Sequence, residues 1–387
     1  MSGSGGGLLS AAILIVGAGI AGLSLARHLK KFDLEFEIIE RNPSEAVSRA
    51  GVILPFTAVR ELRQLGVFNE LAGKYHPLSE IGIKTVHGHA IGRTALAKPP
   101  FNNDLAVSLK RQDLWNALFT GMEKKVRFNT ELRALTHEDD CVEIECSNEL
   151  LNGKYDLVIA ADGLNSTVRR LNFEGQQILS DHHLQGWRFL LSFPNHGLEA
   201  TYMIGSNTDM FAYFPINEDL IHCYAHVHES AELYNSMEST SHNISRIFSA
   251  YATPVPEILS RLEGVKMISG RIKSMEQAQF FDRRIAFAGD ASSGSAAFLQ
   301  QGIATALEDS RYLADSLAMQ HIDGALETYR EKRQIKIDWL HRDADSCARY
   351  FETVPGPVGR LMRNMQIRFL GLPPVRIWKK AALAHSL

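Results

Sequence analysis

The sequence predicts an α/β protein with an α+β insert: a parallel-sheet unit, an antiparallel β-sheet set into it, and a helical C-terminus. Three observations predict it. Between residues 13 and 40 a glycine turn joins a short apolar run to an apolar-periodic stretch, and a second apolar run follows. Between residues 186 and 227 four short, aromatic-rich runs succeed one another. Beyond Ala325 the pattern is helical and rich in charge. The 387 residues, 45% apolar and 22% charged, are enough for a large two-lobed core.

Met1–Gly7 is Gly/Ser-rich, so residues 1–10 are expected to be a flexible N-terminus, without the basic stretch of a signal peptide. Leu8–Val16 is too short to cross a bilayer. Ile13–Val16, Ile20–Leu29 and Phe36–Ile39 read as strand, helix and strand, which calls for a parallel pair with a right-handed crossover. Phe56–Leu71 and Leu114–Met122 have helical period. Val126–Leu135 and Cys141–Cys146 alternate like antiparallel strands, and Tyr155–Ala161 is a continuous buried-strand run. Gly186–Pro194, Leu198–Ile204, Met210–Pro215 and Leu220–Val227 read as strands, with turns at His196, Asn207 and Asn217. Helical pattern returns at Asn243–Leu262. Arg284–Ala288 is a buried strand, and a long helix follows from Gly302 to Met319. The parallel-sheet unit is therefore assigned residues 11–75, 100–175 and 265–340, the inserted sheet 76–99 and 176–264, and the C-terminal helical segment 341–387.

A formal charge of −3 gives no global field for nucleic acid. Cys141, Cys146, Cys223 and Cys347 form no CxxC pair, which argues against a zinc site or disulfide framework and fits a reducing, cytoplasmic setting. Ile367–Lys380 mixes Arg368, Arg376, Lys379 and Lys380 with Phe369, Leu370, Leu372, Ile377 and Trp378. It suits either a basic amphipathic segment resting on a membrane or a helix packed on the core.

The glycine turn carries the first chemistry. Gly17-Ala18-Gly19-Ile20-Ala21-Gly22 is a GxGxxG between strand and helix. Gly17 allows the tight turn, Gly19 lets backbone approach a pyrophosphate, and Gly22 lets the helix pack on the strand. The helix N-terminus then offers unpaired N–H groups to phosphates. Glu40 ends the second strand, about twenty positions on, where a carboxylate can accept both ribose hydroxyls.

Two later segments narrow the dinucleotide. Tyr155-Asp156-Leu157-Val158-Ile159-Ala160-Ala161-Asp162-Gly163, running on to Arg169, matches the second ("DG") motif of the aromatic-hydroxylase flavoproteins. Arg284-Ile285-Ala286-Phe287-Ala288-Gly289-Asp290-Ala291 resembles their third ("GD") motif and leads into Gln301-Gly302-Ile303. Arg111, Tyr329-Arg330 and Arg333 also agree. From about Ala12 to Phe369 the chain thus resembles the single-component FAD-dependent monooxygenases of the para-hydroxybenzoate hydroxylase type.

That resemblance implies a Rossmann-like FAD-binding domain, with the inserted sheet as substrate domain. It implies FAD as cofactor and NAD(P)H and O2 as co-substrates. The reaction is hydroxylation or epoxidation of an aromatic or hydrophobic small molecule through a flavin C4a-hydroperoxide. Asp290 would hold the ribityl chain, and Gly302 and Ile303 would open a helix toward the flavin. Arg111 would lie near phosphate and ribityl. Arg41 would lie over the adenine side, Asp162 and Gly163 beside the pyrophosphate, and Gly51 and Val52, after Arg49 and Ala50, past the flavin. No catalytic residue is assigned, and no metal is expected. Alternating sheet residues supply a substrate wall: Met203, Phe211, Tyr213 and His222, with Trp187, Phe189, Tyr224 and His226 as further candidates and Arg188 as a further polar one. The chain departs from the third motif. Ser293 stands where the family has histidine, Ala297 where it has proline, and Gln300 where it has the first glycine. That departure keeps a non-catalytic protein with a decayed flavin site among the alternatives. The others are an FAD-linked reductase or dehydrogenase acting on a lipid-like substrate, and a flavin-dependent halogenase. A partner flavin reductase would be an alternative source of reduced flavin.

Overall fold

In the computed structural model, residues 12–384 are described, apart from 45, 47–49, 100, 102–104, 176–178, 195–196, 206–208, 232–233, 236–238, 297–298 and 353–355. The expected flexible start (residues 1–10), Arg49, Ala297 and the turns at His196 and Asn207 lie outside the described residues.

Ile13–Val16 is fully buried and sits at the centre of a six-stranded sheet. It pairs in parallel with Phe36–Ile39 on one side and Leu157–Ala160 on the other. Ile285–Phe287 extends the sheet beyond Leu157–Ala160, again in parallel, so the strands of all three motifs lie side by side. Strands buried on both faces read as unbroken apolar runs, which is why these were legible. The connecting helix Ile20–Lys31 packs against Gly302–Met319, and the Ser310 hydroxyl donates to the Ala21 carbonyl at 2.9 Å.

A seven-stranded sheet forms the second layer. Its order is Met267–Met275, Leu179–Ser192, Leu220–His228, Met210–Asn217, Thr201–Ile204, Glu80–Thr85, Ala90–Ala95. All pairings are antiparallel except Thr201–Ile204 with Glu80–Thr85. Two assignments change here. Met267–Met275 hydrogen-bonds along Leu179–Ser192, so the sheet reaches past residue 264. Its alternation is weak because Ile268–Arg271 are exposed or half-exposed, leaving no periodic signal. The helical stretch Asn243–Leu262 is in fact two helices, Thr240–Ile247 and Val255–Leu259, divided at Pro254, which lacks an N–H and disfavours helix in the residue before it. They cover one face of the sheet, over a core of Trp187, Phe189, Met203, Phe211 and Tyr213.

Beyond these layers run Ile322–Glu352, Pro357–Leu370 and Pro373–Ala384. The last packs on the main core: Val375, Ile377, Trp378 and Ala381 are buried, and the Trp378 indole donates to the Leu299 carbonyl at 3.1 Å. No helix among the described residues is long and apolar enough to cross a membrane.

Candidate functional site

A cleft of about 700 Å³ runs between the parallel sheet and the uncovered face of the seven-stranded sheet. One end is built by the glycine turn. Gly17 has φ +109°, and a Cβ there would lie 2.6 Å from the Ala161 carbonyl oxygen. A Cβ on Gly22 would lie 2.0 Å from the Gly17 oxygen, so helix and strand meet only because neither carries a side chain. Gly22 therefore does its work in packing, while Gly17, Gly19, Ile20 and Ala21 line the cleft. Ala18 is buried behind the turn. Its N–H donates to Glu40 Oε2 at 3.0 Å, and its carbonyl accepts from the Trp115 indole at 2.8 Å.

Glu40 and Arg41 line this end. The other Glu40 oxygen accepts from the Asn42 N–H at 2.9 Å and from the Asn42 amide at 2.7 Å. Asn42, Thr130, Glu131 and Leu132 complete the end and were missed in the sequence. Val126–Leu135 reads as one strand, but the structure interrupts it between Arg127 and Leu132, with Asn129 at φ +53°. That excursion carries Thr130 and Glu131 to the cleft. Only the asparagine hinted at it.

In the middle stand Asp162 and Gly163, the latter at φ +83°. Asp162 Oδ2 accepts from the Thr167 and Val168 N–H groups at 2.6 and 3.2 Å, capping the helix Thr167–Asn172. Its Oδ1 is buried with no hydrogen-bond partner among the described residues. Burial raises the Asp162 carboxyl above its ordinary pKa, against the pull of those donors. Behind it, Arg169 ties two motifs together: its guanidinium donates to the Leu164 carbonyl and, at 2.9 Å, to the Ala291 carbonyl.

The far end is assembled from distant segments. Asp290 follows Gly289, whose φ is +61° and whose N–H donates to Asp309 Oδ2 at 2.9 Å. Asp309 Oδ1 accepts from Arg333 at 2.6 Å, Arg333 also donates to Glu308 at 2.7 Å, and Lys336 reaches Glu308 at 2.5 Å. Arg333 and both carboxylates are about 1% exposed or less, so the turn before Asp290 hangs on a buried ion network. Asp290 itself opens into the cleft with Gly302 and Ile303, and its Oδ1 lies 3.5 Å from where a Gly302 Cβ would stand. Although the side chain is open to the cleft, the enclosing walls desolvate its carboxylate and raise its pKa, opposed by the charges of Arg111 and Arg188. Burial likewise lowers that of Arg111, opposed by Asp290.

Over this end lies the sheet face that carries Arg188, Tyr202, Met210, His222 and Tyr224. Of the four substrate candidates only His222 is among them. Met203, Phe211 and Tyr213, with Trp187 and Phe189, point the other way, into the core under the two short helices. Strand alternation made two faces from one aromatic run, and nothing in the sequence marked which face the helices would cover. Tyr202 and Met210 are the residues so missed, while Tyr224 and Arg188 were among the further candidates. His226 is buried against the Tyr224 hydroxyl at 3.0 Å. The lining does include Gly51 and Val52. A Gly51 Cβ would lie 2.4 Å from His222 Cβ, so this glycine makes room for the histidine. Burial lowers the His222 pKa to about 4, with Arg188 adding to the shift, while Nδ1 stands 3.3 Å from the Phe189 carbonyl. The ring is neutral at pH 7.

Of the departing motif residues, Gln300 lines the cleft beside this face. Ser293 is buried, and its carbonyl accepts from His341 at 3.1 Å. Gln300 keeps the left-handed conformation a glycine would adopt, φ +54°, and its amide donates to the Tyr202 hydroxyl at 2.5 Å. Gln301 is 1% exposed and lines the cleft with neither amide atom hydrogen-bonded among the described residues. No group of three or more metal-ligating side chains occurs among the described residues.

Comparison with known proteins gives a consistent result. Residues 10–340 match the family described as "FAD binding domain". The chain is 24% identical over 354 residues to 2-heptyl-3-hydroxy-4(1H)-quinolone synthase of Pseudomonas aeruginosa, covering 86% of this chain and 87% of that one. It is 24% identical over 367 residues to 3-amino-4-hydroxybenzoate 2-monooxygenase PtmB3 of Streptomyces platensis, covering 90% of each. Klebsiella pneumoniae HpxO, solved with FAD and uric acid, superposes with a TM-score of 0.83 at 20% identity over 96% of each chain.

Proposed function

From the premise that this chain belongs to the FAD binding domain family and is an FAD-dependent monooxygenase, we propose how its cleft divides the work and what it oxidises. FAD would be held with its adenosine by Glu40 and Arg41, its pyrophosphate by Gly17, Gly19, Asp162 and Gly163, and its flavin by Asp290 beneath the sheet. The observation that carries this reading is the continuity of one cleft from the glycine turn to Asp290 and Gly302. The residues fit. The turn excludes side chains where phosphates would pass, Asp162 Oδ1 and the Gln301 amide lack partners among the described residues, and Asp290 faces open space. When bound, FAD would supply the redox chemistry, with NAD(P)H providing two electrons, one atom of O2 going to the substrate and the other leaving as water.

The chain's own residues bind and orient. The helix N-terminus at Gly302 opens into the cleft and would favour negative charge on the flavin there. The substrate is a planar aromatic of neutral or anionic character, seated against Tyr202, Met210 and Tyr224. Arg188 stands over the Tyr224 ring at 5.5 Å and reaches toward an anionic or carbonyl oxygen of the substrate. The relatives named for quinolone and hydroxybenzoate chemistry support such a class. His222 is neutral and a weak base, so it serves as a hydrogen-bonding wall, and the geometry singles out no proton-abstracting side chain.

The test is purification with flavin extraction, then a screen of hydroxybenzoates and hydroxyquinolines for stimulated NADH and NADPH oxidation with matched oxygen uptake. Formation of an oxygenated product in step with oxygen consumption is expected. Reduction of a substrate double bond without oxygen uptake would replace the reading with a reductase.

A further inference from the structure

We propose that the helix Pro357–Leu370 docks the protein onto an anionic lipid surface. Six large apolar side chains of this 14-residue helix are exposed: Val358 at 72%, Leu361 at 62%, Met362 at 60%, Met365 at 51%, Phe369 at 75% and Leu370 at 57%. Five of them recur at intervals of three and four and form one stripe along the helix. The opposite face is anchored. Ile367 and Arg363 are buried, the Arg363 guanidinium donates to the Gly205 carbonyl at 2.9 Å, and the helix lies along the edge strand Ala90–Ala95. The stripe is therefore held outward by tertiary contacts. Single exposed apolar residues are ordinary, but a stripe of this density on successive turns marks a contact surface.

Charge decides what contacts it. From residue 353 to the end the sequence has no aspartate or glutamate, while Arg360, Arg363, Arg368, Arg376, Lys379 and Lys380 are cationic. Arg368 is exposed beside the stripe, and Arg376 and Lys379 are exposed on the next helix. Lys380 is paired with Asp343, while Arg368, Arg376 and Lys379 remain as exposed cations, and an apolar face beside them suits acyl chains below anionic headgroups. A second copy of this chain would place like charges together. The exposed face of this helix overlaps the surface the sequence suggested only at Arg368, Phe369 and Leu370. The Ile377 and Trp378 part of Ile367–Lys380 is core, and the free apolar face lies one helix earlier. Docking there would bring the sheet edge near Gly205, three residues beyond the cleft residue Tyr202, to the lipid, where apolar substrates collect.

The test uses the full chain and vesicle co-flotation. One set of vesicles is phosphatidylcholine, the other phosphatidylcholine with about one-third phosphatidylglycerol. The native chain is expected to float with the anionic vesicles at least tenfold (~) better than with the neutral ones, and to detach at high salt. Leu361→Glu with Met365→Glu and Phe369→Glu is expected to abolish flotation while flavin content and turnover of a soluble substrate stay unchanged. Absence of flotation by the native chain, or equal binding to both vesicles, overturns the proposal. So does a dimer in sedimentation velocity that the triple variant dissolves, which would assign the stripe to a second copy.

Discussion

The two ends of the cleft are built in opposite ways. At the glycine end, turn, helix start and acidic strand end lie within residues 13–40 and carry their own local signature, with Trp115, Ala161 and Ser310 packing against the turn. At the Asp290 end, side chains arrive from residues 111, 188, 202, 222, 290 and 300 and are held by contacts far apart in the chain. Local chemistry sets the first end, and packing sets the second. The two should therefore fail differently.

The largest effect is expected at the tie that holds the far end. Arg333→Ala leaves Glu308 and Asp309 buried without their guanidinium and should cost about 3–5 kcal/mol, measured by urea unfolding. Flavin affinity should fall with it. If stability is retained, the Gly289 turn is held locally after all, and the contrast between the ends breaks.

Acid should sharpen the contrast. His28 sits on the helix after the glycine turn and His222 on the sheet, and burial is the main cause that lowers each to about 4. Their folded pKa values lie below the unfolded value of about 6.5, so the unfolded chain takes up protons first as pH falls. Stability is full above about pH 6.5 and is lost toward pH 4, by roughly 1–2 kcal/mol per histidine at pH 5. His28→Gln and His222→Gln should each remove one share. Of the two, only His222→Gln should alter substrate affinity.

A smaller effect, confined to substrate, is expected from Arg188→Met. Loss of one charge-assisted hydrogen bond should raise KM for an anionic substrate about 10- to 100-fold, with flavin content unchanged. An unchanged KM would move the anion-recognising group elsewhere. Smallest of all, Tyr213→Phe alters the helix-covered face and should leave kcat/KM within about twofold, since no contact with the cleft is lost.

What could be read in the sequence follows the same division. The strands of all three motifs were legible because continuous burial gives continuous apolar runs. Gly17, Glu40, Asp162 and Asp290 were found because a backbone or charge requirement pins each to its place in a motif. Tyr202 and Met210 were not found, and Arg188 was read only as one further candidate beside Tyr213, which faces the other way. Their alternation is shared with Trp187, Met203 and Phe211, and only the helices Thr240–Ile247 and Val255–Leu259 decide which set faces the cleft. Thr130 and Glu131 were hidden by a break in a strand. Gln300 was seen as a departure, but its contact with Tyr202 is a tertiary fact. For the sheet residues and Gln300 the deciding partner lies far away in the chain, whereas Thr130 and Glu131 were hidden by the local backbone turn at Asn129.

The central claim is that the cleft holds one extended dinucleotide, adenosine at Glu40 and flavin at Asp290. Titrating flavin-free protein with FAD and, separately, with FMN tests it most directly, followed by flavin and tryptophan fluorescence. FAD is expected to bind at one per chain and FMN at least about 100-fold more weakly, because FMN leaves the glycine turn and Glu40 without adenosine to hold. Equal affinity for FMN, or no uptake of FAD by folded protein, would contradict the account.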